Sequence, residues 1–400
     1  MSAVTHFRKL SPGKGALPVR PAAAPSPAGG RSLRQRVSGA YLTGMRLFVG
    51  LQLYRAPAAR DLSAPAIVAP LGRNNGISQG ARLQHAAFVA CGSDPALVDA
   101  TATLRNPLAR PAHNPARTYI FHVGGPQTAS LMNGMLPYVA DARRIAYWAW
   151  ELPDPPSDWR ACGRLVDEIW TPSAYSAASL SKMFSVPIRV VPHIVPMAPM
   201  RQRGTGPFTV LVMADSRSSF SRKNPRGAVT AFRRAFGERN DVRLLVKLNG
   251  GGPMVDELAR EVDAMPNASA IREFLDDAAL QALYRSADVF LSTHRAEGFG
   301  LPMLEAMSHG MAVVATGWSG NLEFMSAEDS VLLPATTIPV DDEAGVYLES
   351  FWADPDLDAA ADALVRLERD MGYYKQLSAS AYRAAELAND PQRWLARISN

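Results

Sequence analysis

Apolar residues fall in short uninterrupted runs, and between the runs they recur at helical spacing. Runs at 64–69, 118–122, 144–148, 168–171 and 188–191 predict strands; Pro65 is tolerated because it opens its strand. A glycine- and asparagine-rich turn at 71–80 leads into a helix at 81–91, and a second helix lies between the last two strands. Residues 196–207, rich in Pro, Gly, Met and Arg, predict a linker. The pattern then restarts, with strands at 208–213, 242–247, 289–293 and 312–316 and helices at 225–236, 278–287 and 302–309. Strands alternating with helices imply a parallel sheet covered on both faces. The expected fold class is therefore α/β, with two Rossmann-like domains facing a cleft. Ligands of such sheets bind beyond the carboxyl ends of the strands. The expected divisions are a disordered basic tail at 1–37, a first domain at 38–200, a second at 201–375, and a helical segment at 376–400.

Charge changes the picture once it is located. Lys and Arg total 42 against 37 Asp and Glu, a net of +5. Residues 1–37 hold seven of the basic residues (Arg8, Lys9, Lys14, Arg20, Arg31, Arg34 and Arg36) and no acidic one. The remainder carries 35 basic and 37 acidic residues, a net of −2. A nucleic-acid partner is therefore not expected. The tail could make peripheral contact with an anionic membrane. Two cysteines, Cys91 and Cys162, lack metal or disulfide spacing. No run is long and apolar enough to span a bilayer, and no apolar core follows the N-terminal charges as in a signal peptide. The expected location is cytoplasmic, possible at the inner face of a membrane. No strand runs into Gly-x-Gly-x-x-Gly, which argues against a dinucleotide-dependent dehydrogenase.

The candidate chemistry lies in Glu297-Gly-Phe-Gly-Leu-Pro-Met-Leu-Glu305. A strand ends near Thr293, and Glu297 follows on its loop. Gly298 and Gly300 let backbone amides approach a ligand, and Pro302 suits the first turn of a helix. The helix N-terminus offers unpaired N–H groups to an anion. Glu305 falls about one turn into the helix. A second loop, Gly317-Trp-Ser-Gly-Asn321, follows the next strand and would line the same crevice. After the first strand of the second half, Arg222-Lys223-Asn224-Pro225 places cations at a helix start, where a bound anion would offset their conflict with the helix dipole.

Glu-x7-Glu enclosing Gly-Phe-Gly-Leu-Pro resembles the donor site of the large family of retaining GT-B glycosyltransferases, the group 1 or family 4 type. That family includes sucrose-phosphate and mannosyl transferases. His294-Arg295, Gly317–Asn321 and Arg222–Pro225 resemble its bacterial polysaccharide-assembly branch. So do Trp148-Ala-Trp-Glu151-Leu, Glu168-Ile-Trp-Thr-Pro-Ser173, Val190-Val-Pro-His193 and Trp352-Ala-Asp-Pro-Asp356; Glu151 follows a strand and is expected on the acceptor side of the cleft. The resemblance covers roughly residues 64–395 and is strongest over 208–325. It implies that a nucleotide diphosphate sugar is the donor and a saccharide or lipid-linked saccharide the acceptor. No cofactor and no essential metal are expected.

By the same resemblance, Glu297, Gly298, Phe299, Gly300 and Leu301 hold the donor sugar, and Glu305 holds the ribose. Ser319, Gly320 and Asn321 line the crevice. Lys223 and an arginine grip the diphosphate. The usual Arg-x4-Lys spacing is absent because Ser218 stands there, leaving Arg222 or Arg217. Lys247, at a strand end, is a further candidate. Gly76, in the glycine-rich stretch 72–80, is expected over donor phosphates or acceptor, and His122 near the reacting face of the sugar. Asp354-Pro-Asp356-Leu-Asp358 follows no predicted strand and reads as acid at a helix start rather than a metal site. The final helix is expected to cross back to the first domain. Two alternatives remain: an epimerase or phosphorylase on the same fold, and a non-catalytic nucleotide-sugar-binding subunit of a membrane-associated assembly.

Overall fold

The computed structural model describes Gly44, Val49, Gly50, Leu53, residues 58–72, 75–106 and 108–342, Gly345, Tyr347 and residues 350–399. The basic tail, with its expected membrane contact, lies outside the described residues.

Among the described residues, two six-stranded parallel sheets carry the architecture, with a small antiparallel pair beside them. The first contains β1 (Ala66–Ala69), β2 (Ala96–Asp99), β3 (Thr118–Phe121), β4 (Arg143–Tyr147), β5 (Glu168–Thr171) and β6 (Ile188–Val190), in the order β2-β1-β3-β4-β5-β6. The second contains β7 (Phe208–Asp215), β8 (Val242–Asn249), β9 (Ala268–Ile271), β10 (Val289–Ser292), β11 (Ala312–Thr316) and β12 (Val331–Leu333), in the order β12-β11-β10-β7-β8-β9. Successive side chains of a strand point to opposite faces. Phe208, Val210, Val212 and Ala214 of β7 accordingly enter one core while Leu211 enters another. Tyr119 and Phe121 of β3 separate from Ile120 in the same way. Burial on both faces is why these strands read as unbroken apolar runs.

The order of strands creates two switch points. From β7 the chain proceeds outward to β8 and β9, then returns to the other side of β7 for β10, β11 and β12. Loops leaving β7 and β10 therefore diverge and open a crevice between them. The same reversal occurs between β1 and β3 in the first sheet.

The two halves are joined by shared cores. Phe299 packs in one cluster with Leu83 and Val195, and Tyr347 and Trp352 pack in the cluster of Trp148, Trp150 and Trp159. The final helix, Pro391–Ser399, crosses back as expected. Its Trp394 and Ile398 join Ile67, Phe88 and Trp170, and the Trp394 indole N–H donates to the Pro192 carbonyl at 3.0 Å.

Three expectations are corrected. The stretch 72–80 is not all loop: a helix spans Gly76–Ala90, because the Asn75 side chain caps it by accepting from the Ser78 N–H at 3.0 Å. Gly76 is thus the first helical residue and not part of a loop; Arg73 and Asn74 lie outside the described residues. Strands β2, β9 and β12 escaped the pattern because they are short and mostly half-exposed. The antiparallel pair β13 (Ala335–Pro339) and β14 (Phe351–Pro355) escaped as well, so a strand does precede Asp356 and Asp354 lies within it. Asp356 still acts as helix-start acid, accepting from the N–H groups of Asp358 and Ala359 at 3.0 and 2.9 Å.

Candidate active site

The loops after β7 and β10 are stitched together at the switch point of the second sheet. Asn224, in the left-handed region at φ +46°, donates from its side chain to the Thr293 carbonyl at 3.0 Å. The Thr293 hydroxyl donates back to the Asn224 carbonyl at 2.7 Å, and the Arg295 N–H donates to the Arg222 carbonyl at 2.7 Å. This backbone frame brings residues 74 positions apart into contact.

Arg222, only 3% exposed, donates to the Ala296 carbonyl at 2.6 Å and to the Ser218 carbonyl at 3.2 Å. Its guanidinium lies 3.2 Å from Glu297 Oε2, and the Lys223 ammonium contacts Oε1 of the same carboxylate. Burial by itself would raise the Glu297 carboxyl, but Lys223 and Arg222 outweigh it and hold it at about 2. Burial lowers the Lys223 ammonium, with Glu297 opposing. Two cations thus stand within reach of a single carboxylate, at a strand-end crevice.

The loop carrying Glu297 is fixed by the following one. The Glu297 N–H donates to the Ser319 hydroxyl oxygen at 2.8 Å, and the Gly320 N–H donates to the Glu297 carbonyl at 2.8 Å. Ser319 sits at φ +75°, a conformation that costs energy in a non-glycine residue and persists here because these bonds hold it. His294 contacts Asn321 Oδ1 at 3.1 Å, and the Asn321 amide donates to the Thr316 carbonyl at 3.1 Å. A Cβ on Gly320 would lie 2.6 Å from the Phe299 nitrogen and closer still to the Gly298 carbonyl. Gly320→Ala is therefore expected to displace the Glu297 loop and lower kcat by about a hundredfold, since small misplacements cost that much. Steady-state kinetics checks this.

Glu305 lies in helix Leu301–Ser308 and accepts from the Tyr284 hydroxyl at 2.6 Å. Burial raises its carboxyl to about 7. Between the ordinary value of 4.5 and about 7 the folded chain keeps a proton that the unfolded chain has lost, so this group's stabilising contribution falls as pH rises through that window. The unfolding temperature is expected to fall as pH rises through that window. Glu305→Gln flattens that profile in a pH series of melting curves.

Other expected residues fall elsewhere. Arg217 is half-exposed and forks onto Asp215, with contacts of 2.9 and 2.6 Å. Lys247, 2% exposed, donates to Asn249 Oδ1 at 2.5 Å. Buried His122 meets Gln84 Oε1 at 2.7 Å and stacks on Tyr147 at 4.3 Å. Tyr147 in turn neighbours His193, whose ring meets Phe299 edge-on at 5.3 Å. Burial lowers His122 and brings His193 to about 4, so both rings are neutral at pH 7. A neutral aromatic row thus runs from the end of β3 to the Gly298–Gly300 loop.

Sequence reasoning missed several participants. Ser173 donates to the Gly298 carbonyl at 2.7 Å, and Glu323 accepts from the Ala174 N–H and from Arg397 at 2.8 and 2.9 Å. Tyr347 lies under Arg222, with 5.8 Å from guanidinium to ring centre. Tyr347 and Glu323 had no signal beyond residue type, and Ser173 only its place in the 168–173 segment, because their partners are more than 70 positions away. Among the described residues, no group of three or more His, Cys, Asp or Glu is arranged to hold a metal ion, and no helix is long and apolar enough to cross a membrane.

Residues 209–370, which contain Arg222, Lys223, Glu297, Glu305 and the 317–321 loop, match the family described as Glycosyl transferases group 1. Over those residues the chain is similar to a group 1 glycosyltransferase domain. Sucrose-phosphate synthase of Zea mays is 24% identical over 219 residues, 49% of this chain and 18% of that protein. The chain thus matches less than a fifth of the length of that curated relative. Among solved structures, sucrose-phosphate synthase from Thermosynechococcus elongatus superposes with a TM-score of 0.61 at 13% identity, covering 84% of this chain and 97% of the other. HepE of Anabaena, solved with UDP and glucose, gives 0.60 at 11% identity over 84% and 98%. The pneumococcal O-GlcNAc transferase GtfA, solved with UDP and GlcNAc, gives 0.54 at 15% over 70% and 55%. The fold is GT-B: the second and the first Rossmann-like domains enclose the seam between them.

Proposed function

We propose that the chain transfers a hexosyl group from a nucleotide diphosphate sugar to a saccharide or lipid-linked saccharide, with retention of anomeric configuration, in polysaccharide or cell-surface glycan synthesis. The observation that carries this reading is the pairing of Arg222 and Lys223 on Glu297 at the β7–β10 switch point. Departure of a nucleoside diphosphate concentrates negative charge on its terminal phosphate. Preorganised cations in a water-poor crevice stabilise that charge strongly.

In the proposed complex the diphosphate meets Arg222 and Lys223, the ribose meets Glu305, and the sugar lies against Glu297 and the Gly298–Gly300 amides. The Ser319–Asn321 loop keeps Glu297 in place, while Lys247 flanks the diphosphate side and His122 the sugar. Helix Gly76–Ala90 presents its N-terminus from the first domain. The bond from anomeric carbon to phosphate oxygen breaks, and its electrons leave with the diphosphate. The acceptor oxygen bonds to the same face of the anomeric carbon, and its proton passes to the departing phosphate. Arg222 and Lys223 carry the leaving-group charge, so transfer proceeds without added divalent cation.

The test is to incubate the chain in EDTA with UDP-, GDP- and dTDP-hexoses, with and without simple glycoside acceptors, and follow the anomeric protons by NMR. One donor is expected to be consumed, giving product of the donor's own anomeric configuration. Inversion would refute retention. Consumption of no donor, with or without magnesium, would refute the transferase reading, and binding without consumption would favour a non-catalytic subunit.

A further inference from the structure

The cluster at the switch point has one carboxylate from the opposite domain. Glu151 follows β4 of the first sheet, at the carboxyl end of its strand, and its Oε1 lies 3.8 Å from Arg222 Nη2. Among the described residues it is the acid of the first domain that pairs with a cation of this cluster. Gly298 lies against this segment: a Cβ there would be tight against the Ala149 Cβ at 3.2 Å and in ordinary contact with the Glu151 Cγ at 3.7 Å. The Tyr347 hydroxyl hydrogen-bonds Glu151, and Tyr347 also packs beside Trp150, 5.4 Å between rings. Glu151 therefore faces, across the seam, the same loop that presents Glu297.

We propose that Glu151 is the acceptor-binding carboxylate of the reacting centre, taking the hydrogen bond of the attacking hydroxyl. The inference rests on the transferase reading above. A carboxylate has about four lone-pair sites. Tyr347 takes one, and Arg222, at 3.8 Å, stands beyond hydrogen-bond reach. The side chain is 19% exposed, whereas that of Glu297 is 9% exposed, so solvent or substrate reaches Glu151 more readily. Its position opposite Gly298 sets an acceptor hydroxyl against the sugar that the Glu297 loop would hold. Glu151 does not take the proton in this scheme. It orients the hydroxyl, whose proton leaves with the diphosphate, and Arg222 and Tyr347 hold the carboxylate in place.

Hydrolysis separates this role from donor binding, because water can replace the acceptor without needing the same orientation. UDP-glucose and octyl glucoside serve as the first donor and acceptor pair, replaced by whichever glycoside and nucleotide sugar the wild type consumes. Glu151→Gln, which keeps the shape and the Tyr347 contact, is expected to lower kcat/KM for the acceptor about tenfold, and Glu151→Ala about a hundredfold. Donor affinity by calorimetry and the rate of donor hydrolysis stay within threefold of wild type in Glu151→Gln. Wild-type acceptor kinetics in both variants would overturn the proposal. So would equal losses of donor affinity and transfer in Glu151→Gln at unchanged Tm, which would make Glu151 only a support for Arg222. A wild type that consumes no nucleotide sugar overturns the transferase reading, and this inference with it, before any variant is compared.

Discussion

Glu297→Gln is expected to lower kcat by about 10²–10³-fold, the loss typical of removing one group aimed at developing charge. The substitution keeps the shape of the side chain and its backbone bonds to Ser319 and Gly320. It removes the charge that both Arg222 and Lys223 face. Arg222 and Lys223 then repel each other with Glu151, 3.8 Å from Arg222, left to offset them, and breaking a buried pair costs about 3–5 kcal/mol. A lower Tm therefore accompanies the kinetic loss, and a bound nucleoside diphosphate restores part of it by supplying the missing negative charge. The wild-type pair is insensitive to moderate acid. With the carboxyl at about 2 against an ordinary 4.5, its stabilising contribution is complete above 4.5 and is lost only as pH falls through about 2. Kinetics and thermal unfolding of the same preparation check both parts.

Arg222→Met carries the second large effect. Arg222 reaches two backbone carbonyls and Glu297 with one planar group, so it both positions the β10 loop and supplies charge. Its loss is expected to lower kcat by about 10²–10³-fold and to raise the Glu297 carboxyl from about 2, since burial is then opposed chiefly by Lys223. Arg222→Lys recovers little, because an ammonium lacks the fork that spans three acceptors. Arg217→Met is the contrast. That side chain is half-exposed and occupied by Asp215, so its removal changes kcat by less than about threefold. Parallel kinetics of the three variants distinguishes the two arginines that the absent Arg-x4-Lys spacing left open.

What the sequence reveals here follows from burial. Strands such as β7 and β11, covered on both faces, must be apolar throughout and are legible as runs. Edge strands such as β2 and β9 have little to bury and leave no run. The stretch 72–80 reads as a loop because its glycines favour turns, yet the Asn75 cap and the core positions of the following turns start a helix there. At the site, Glu297–Glu305 is legible because a strand end, a glycine loop and a helix start are contiguous. Lys223 is legible from the same local logic. Glu151 is legible as an acid at a strand end on the acceptor side, but its partner Arg222, like those of Ser173, Tyr347 and Glu323, lies across the seam between domains, where only tertiary structure decides which side chains meet.

Calorimetric titration of UDP, GDP and dTDP into wild type and Lys223→Met tests the central claim most directly, since the claim is that this cluster holds a nucleoside diphosphate. One of the three is expected to bind the wild type, and to bind Lys223→Met at least about tenfold more weakly, the loss of one charge-assisted contact to phosphate. Binding of none, or equal binding to both proteins, would contradict it.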